Sequence, residues 1–197
     1  MPLPAARPRE LLTRRTITCN GYLRDDGLLD VEGHLVDARG YDTRNDWRGA
    51  VNKGDPVHEM WVRLTIDDQL IIREAVASTE ASPYPRCREP LPKLERLVGL
   101  NVVGGFKKQV RSRIGGTDGC THVLALIEAM SNVAVHALAG KRRGEDRDSM
   151  LSTYGTRDGS THPLVNTCHS YAADSPIVAK MWPAHYRPAA TTDDTKR

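Results

Sequence analysis

The densest chemical stretch of the chain is Gly115-Gly116-Thr117-Asp118-Gly119-Cys120-Thr121-His122, which runs directly into an apolar segment. Its three glycines free the backbone just where a helix is expected to begin. Helix N-terminal amides and the positive end of the helix dipole favour anions, and a cysteine placed there has a lowered pKa. Cys120 is therefore a candidate nucleophile, proton donor or ligand. His122 stands two residues on, and within an irregular first turn its ring and the thiol can meet at one point. Gly119 and Thr121 flank Cys120 and are expected to offer backbone amides to a substrate. The same residues also suit a plain turn, with Asp118 or Thr121 as the helix cap and Cys120 as a small buried apolar side chain. No lysine follows the glycines, so the stretch is not a Walker-type phosphate loop.

His58 is the second candidate for acid–base work. The run Val57 to Ile66 alternates, and His58 shares a face with Met60, Val62, Leu64 and Ile66. A partly desolvated imidazole titrates near neutrality and can act as a general base. A core-edge histidine bonded to a carbonyl is the plainer alternative. Trp61 lies on the other face of this run, and His34 on the more polar face of the run Gly27 to Asp37. Both are taken as candidates to touch substrate.

Sulfur and imidazole also make a thiophilic set from Cys87, Cys120, His122 and Cys168, suited to zinc. These residues lack the close Cys-x-x-Cys pairs of zinc ribbons, so a metal requires the fold to bring them together. The chain is thus expected to need no cofactor, or to hold a thiophilic metal such as zinc.

The elements that must position these residues change character once along the chain. From Arg15 to about Glu80 the period is two. Extended runs from Thr16 to Arg24 and from Gly27 to Asp37 are joined by Asp25-Asp26-Gly27, a strong hairpin signal. A polar, turn-rich stretch from Ala38 to Pro56 reads as a long loop. The Val57–Ile66 strand then turns at Asp67-Asp68 into a fourth strand, Gln69 to Thr79. Prolines at 83, 85, 90 and 92 mark the changeover to helical spacing. Short helices are expected over Lys93–Leu97 and Phe106–Ile114. A long one follows Cys120, with Val123, Leu124, Ile127, Met130, Ala134 and Leu138 at three- and four-residue spacing and a stop at Gly140. The segment from Gly144 to His162 is polar and reads as a loop or lid, and Pro163 to Tyr171 and Pro176 to Trp182 read as returning to extended structure, one more strand and a terminal strap. The expectation is α+β: an antiparallel β-meander in the N-terminal half packed against C-terminal helices. It forms one domain over residues 1–187, with residues 1–15 as an N-terminal arm and 188–197 as a disordered tail.

Composition narrows the function classes. A net charge of +3 arises from 28 basic against 25 acidic residues, too balanced to argue for nucleic acid. Lys107, Lys108, Arg111 and Arg113 line one short helix, but only Phe106 accompanies them, so the stacking platform of a single-strand binder is missing. No run reads as the roughly 20 apolar residues of a bilayer span. The expectation is a cytoplasmic protein with reduced cysteines, a small-molecule partner and no membrane, with a homo-oligomer left open.

The blocks RRTITCNGYLRDDGLLDVEGHLVDARGYD, HEMWVRLTIDDQLIIREAVASTEASPYPRC, GCTHVLALI and LVNTCHSYAADSPIV occur in the order of a bacterial domain-of-unknown-function family, number 2889, which the chain resembles over nearly its whole length. The resemblance implies bacterial catabolism, often of aromatic or acyl compounds. On it rests the expectation of a small-molecule enzyme, a lyase favoured over a hydrolase, cleaving a C–C bond in the retro-aldol sense. His58 or His122 would be the base and Cys120 a proton donor, ligand or nucleophile. The alternative is a non-enzymatic metal- or ligand-binding accessory protein in which the cysteines are structural.

Overall fold

The structure, a computed structural model, describes residues 3–143, 162 and 164–188. The chain forms two compact units, Met1–Arg143 and Gly144–Arg197.

The first unit is α+β. Strands β1 (Thr13–Leu23), β2 (Leu29–Arg39), β5 (Pro56–Ile66) and β6 (Ile72–Ala81) form one sheet in the order β1-β2-β5-β6, each pair antiparallel. The expected Asp25-Asp26-Gly27 turn is present: Gly27 adopts φ 83°, and the Asp26 carboxylate accepts from the Leu28 amide at 3.1 Å. Asp67 closes the β5–β6 turn in the same way, accepting from the amides of Gln69 and Ile71.

Alternation decides which face is covered. Leu29, Val31 and Leu35 on β2 and Met60, Val62, Leu64 and Ile66 on β5 are buried, while their neighbours turn to the opposite side. Over the buried face lies α2 (Thr121–Lys141), which contributes Val123, Leu126, Ile127, Met130, Ala134 and Leu138. A fully buried side chain of this size stabilises by about 1.5–3 kcal/mol. The approach of α2 is close because β2 has no side chain at Gly33. A Cβ there would stand 2.7 Å from both Leu126 Cδ1 and Met130 Sδ. Helix α1 (Phe106–Ile114) adds Phe106, Val110 and Ile114, and a 3-10 turn at Leu91–Leu97 adds Leu94 and Leu97.

The far end of α2 is also held. Lys141 Nζ donates to the Gly27 carbonyl at 2.5 Å and pairs with Asp68, so one cation ties the helix end to both hairpin turns. By length and composition α2 could cross a membrane, with a mean hydropathy of 1.6 over its most apolar window, although the sequence offered no obvious span. Here its apolar surface packs on the sheet.

Several expectations change. Strand β1 begins at Thr13, so the arm is shorter than residues 1–15. The turn-rich stretch between β2 and β5 contains a small hairpin, β3 (Thr43–Asn45) with β4 (Gly49–Val51), turned on Gly49 with φ 84°. In the second unit, the described residues between 164 and 182 are not extended. They form a 3-10 turn, His169–Tyr171, and a short helix, Pro176–Met181. Ser175 caps that helix by accepting from the Val178 amide at 3.2 Å, and Pro176 opens it, which outweighs the β propensity of Ile177 and Val178. The lid expected between Gly144 and His162 lies outside the described residues except for His162, as does the tail after Pro188.

Candidate functional site

The apolar face of the sheet turns polar at one end, and the register makes this a single row. Arg15 on β1 pairs with Asp37 on β2, and Asp37 pairs with His58 on β5. Asp37 continues the inward series Leu29, Val31, Gly33, Leu35, and His58 precedes Met60 on the inward face of β5. Helix α2 begins over this row. Its N-cap is Cys120, in extended backbone at φ −120° and ψ 127°, and His122 follows in the first turn.

Arg15 grips Asp37 with two bonds of 2.7 Å, Nε to Oδ1 and Nη2 to Oδ2. His58 Nδ1 lies 3.2 Å and His122 Nε2 3.5 Å from the same Oδ2. The two imidazoles stack, with centroids 3.8 Å apart and planes inclined at 27°. The other nitrogen of His122, Nδ1, meets Cys120 Sγ at 3.6 Å. A continuous line thus runs from thiol to imidazole to carboxylate to guanidinium. Over its sheet side opens a cleft of about 330 Å³, lined by Thr13, Arg15, Asp37, Ala38, Arg39, Val57 and His58.

Each shifted group has a local cause. Partial burial pushes the Asp37 carboxyl up, but the Arg15 fork beside it, aided by the two imidazoles, holds it below the usual aspartate range. Burial and the neighbouring His122 lower the His58 pKa against the opposing pull of Asp37, which favours the neutral imidazole. Burial alone would raise the Cys120 thiol. The His122 ring and the amides of Val123 and His122 outweigh it and bring the thiol below its ordinary value. Cys19, half-buried on β1 without such partners, goes the other way.

Among the candidates of the first unit, the structure brings together His58, Cys120 and His122. His34 and Trp61 lie on the opposite face of the sheet, because each stands at odd spacing from the inward residues of its strand. They stack on one another at 3.7 Å and 8°, and His34 Nε2 lies 3.1 Å from Glu59 Oε1. They do not reach the Asp37 centre. Gly119 sits beside Cys120 for a packing reason, since a Cβ there would stand 1.8 Å from the Ile114 carbonyl oxygen. With Cys120 it lines a filled apolar seam against Leu94, Ile114 and Val123. Thr121 is the exposed first residue of α2. Cys87 lies in a 3-10 turn, Pro85–Arg88, and is not among the ligand atoms that converge. Cys168 is exposed and belongs to the second unit. The thiophilic set expected from the cysteines is replaced by Asp37, His58 and His122, whose donor atoms lie within 4.8 Å of one another. Sequence reasoning passed over Asp37 and Arg15. The signal for Asp37 was present: period two carries the Leu29, Val31, Leu35 face onto it.

No curated protein and no solved structure matches the chain. One family does, described as protein of unknown function (DUF2889), over residues 13–136, a span that contains every member of the Arg15–Asp37–His58–His122–Cys120 line. Since this covers more than half of the sequence, the chain belongs to the DUF2889 family.

Proposed function

We propose that the chain is an enzyme acting on a small aromatic or acyl compound bound in the cleft, breaking a C–C bond beside a carbonyl by acid–base chemistry. The observation that carries this reading is the convergence of two imidazoles on one carboxylate oxygen at the edge of an open cleft. His58 lines the cleft, and its lowered pKa favours the neutral form that a general base needs. It takes the proton of a hydroxyl two carbons from the carbonyl; the intervening C–C bond breaks, its electron pair passes into an enolate, and the new carbonyl product leaves. The enolate then takes the proton back from His58 at carbon, which closes the balance. The guanidinium of Arg39 on the cleft wall suits an anionic group on the substrate, and the N-terminus of α2 favours the enolate charge. Asp37 and Cys120 orient the second imidazole, His122.

The test is a panel of aromatic and acyl β-hydroxy carbonyl compounds, with aldehyde release followed by mass spectrometry. Wild type is expected to turn over at least one member, and His58→Asn to lower that rate by about 10²-fold or more while melting normally. A panel without product, or a product rate that His58→Asn and His122→Asn leave intact, removes the reading.

A further inference from the structure

Hydrogen bonding does not account for the arrangement at Asp37. Its Oδ2 already accepts from Arg15 Nη2 at 2.7 Å, which leaves one lone-pair direction on that oxygen. Two imidazole nitrogens converge there, yet only one can be served. His58 Nδ1 is buried and makes no well-formed hydrogen bond, although Asp37 Oδ2 is 3.2 Å away and draws on it electrostatically. A buried ring nitrogen left so is costly unless something else engages it.

The spacings describe what would. Ligand atoms set about 2.0–2.1 Å from a four-coordinate ion stand roughly 3.3 Å from one another. The observed separations from Oδ2 are 3.2 and 3.5 Å, two edges of such a polyhedron. We propose that Asp37, His58 and His122 form a site for one divalent transition-metal ion of the zinc class, with an open position toward the cleft.

The surroundings are those a metal centre uses. His122 turns its remaining nitrogen to Cys120 Sγ at 3.6 Å, which helps to orient the ring. The Asp37 carboxylate is in turn anchored by Arg15. Two nitrogen donors to one oxygen disfavour magnesium and calcium, which take oxygen cages. An ion here supplies Lewis-acid polarisation of a carbonyl oxygen in the cleft. The inference shares its location with the proposed reaction and is an alternative to its base assignment: an ion held by His58 would take that imidazole out of the role of base.

Full-length, chelator-stripped protein is titrated with Co(II) and then Zn(II), without substrate. The expected result is one equivalent of Co(II) with visible d–d absorption, displaced by Zn(II). Asp37→Asn and, separately, His58→Gln are expected to weaken Co(II) binding at least tenfold with the melting profile kept, whereas Cys87→Ser and Cys168→Ser leave it unchanged. No uptake, uptake untouched by the Asp37 and His58 variants, or a thiolate-to-cobalt charge-transfer band that Cys120→Ser abolishes would each overturn the ligand set. Should a variant fail to fold, imidazole ¹⁵N spectra of the wild type decide. One equivalent of Zn(II) must move His58 Nδ1 and His122 Nε2, and unmoved resonances overturn the site. Because these readouts need no turnover, failure leaves the metal-free acid–base reading standing, and an inactive panel leaves the metal site standing.

Discussion

Asp37 touches Arg15, His58 and His122, and its charge is the key to the rest. Removing the guanidinium that neutralises it leaves a half-buried carboxylate facing two imidazoles. In metal-free protein, Arg15→Gln is expected to cost about 1–2 kcal/mol in urea unfolding at pH 7, the lower part of the range for charged hydrogen bonds, since Arg15 is partly exposed. The pH dependence follows from the lowered Asp37 pKa. The stabilisation is complete above the unfolded aspartate value, about 3.9, and is lost as pH falls through the lower folded value. The gap between wild type and Arg15→Gln should therefore close in acid, and a gap that persists there would mean that Arg15 acts through packing. The two shifted thiols give a second test. The pH–rate profile of iodoacetamide labelling, read by peptide mass spectrometry, should have its midpoint lower for Cys120 than for Cys19, and an inverted order would remove the thiol–imidazole interaction. At this scale the sequence was partly legible. Cys120 and His122 are neighbours in the chain and His58 advertised itself by alternation. Asp37 and Arg15 meet them only through register, which a single strand does not encode.

Whether those side chains meet depends on how closely α2 lies on the sheet and how its first turn is held, and Gly33 and Gly119 bear on these in turn. Gly33→Ala places a Cβ 2.7 Å from Leu126 Cδ1 and Met130 Sδ, so the helix side chains must give. The expected cost is about 1–3 kcal/mol, with a raised Cys120 labelling midpoint because His122 moves with its helix. Unfolding within about 0.5 kcal/mol of wild type, the usual surface range, would show that Met130 simply swings aside. Gly119→Ala is harsher, since it meets backbone, the Ile114 carbonyl oxygen at 1.8 Å, and no side chain can yield. It should unfold at markedly lower urea than Gly33→Ala, and the reverse order would refute the steric argument. The same elements show what sequence reading captures. The four main strands, the short helix α1 and the long helix α2 follow from period and turn chemistry. The β3–β4 hairpin is missed because three-residue strands are too short to show a period, and Pro176–Met181 because a Ser-Pro cap overrides β-branched residues.

Across the whole molecule, core and centre fall in the same place. The largest fully buried side chains, from Leu29 to Met130, all lie in the first unit, as do all five members of the Arg15-to-Cys120 line and the family match over residues 13–136. A core that carries its own sheet, its covering helix and the Lys141 tie at the helix end has the parts of an independently folding domain. A fragment of residues 1–143 is accordingly expected to unfold in one cooperative urea transition and to keep the Cys120 labelling midpoint of the full chain. The midpoint is the sharper readout, because it depends on His122 and the helix N-terminus being in place, whereas a collapsed but unpacked chain would label Cys120 as an ordinary thiol. A broad transition with an ordinary Cys120 would show that residues beyond 143 complete the fold. A sharp transition with an ordinary Cys120 would show that they complete the centre alone.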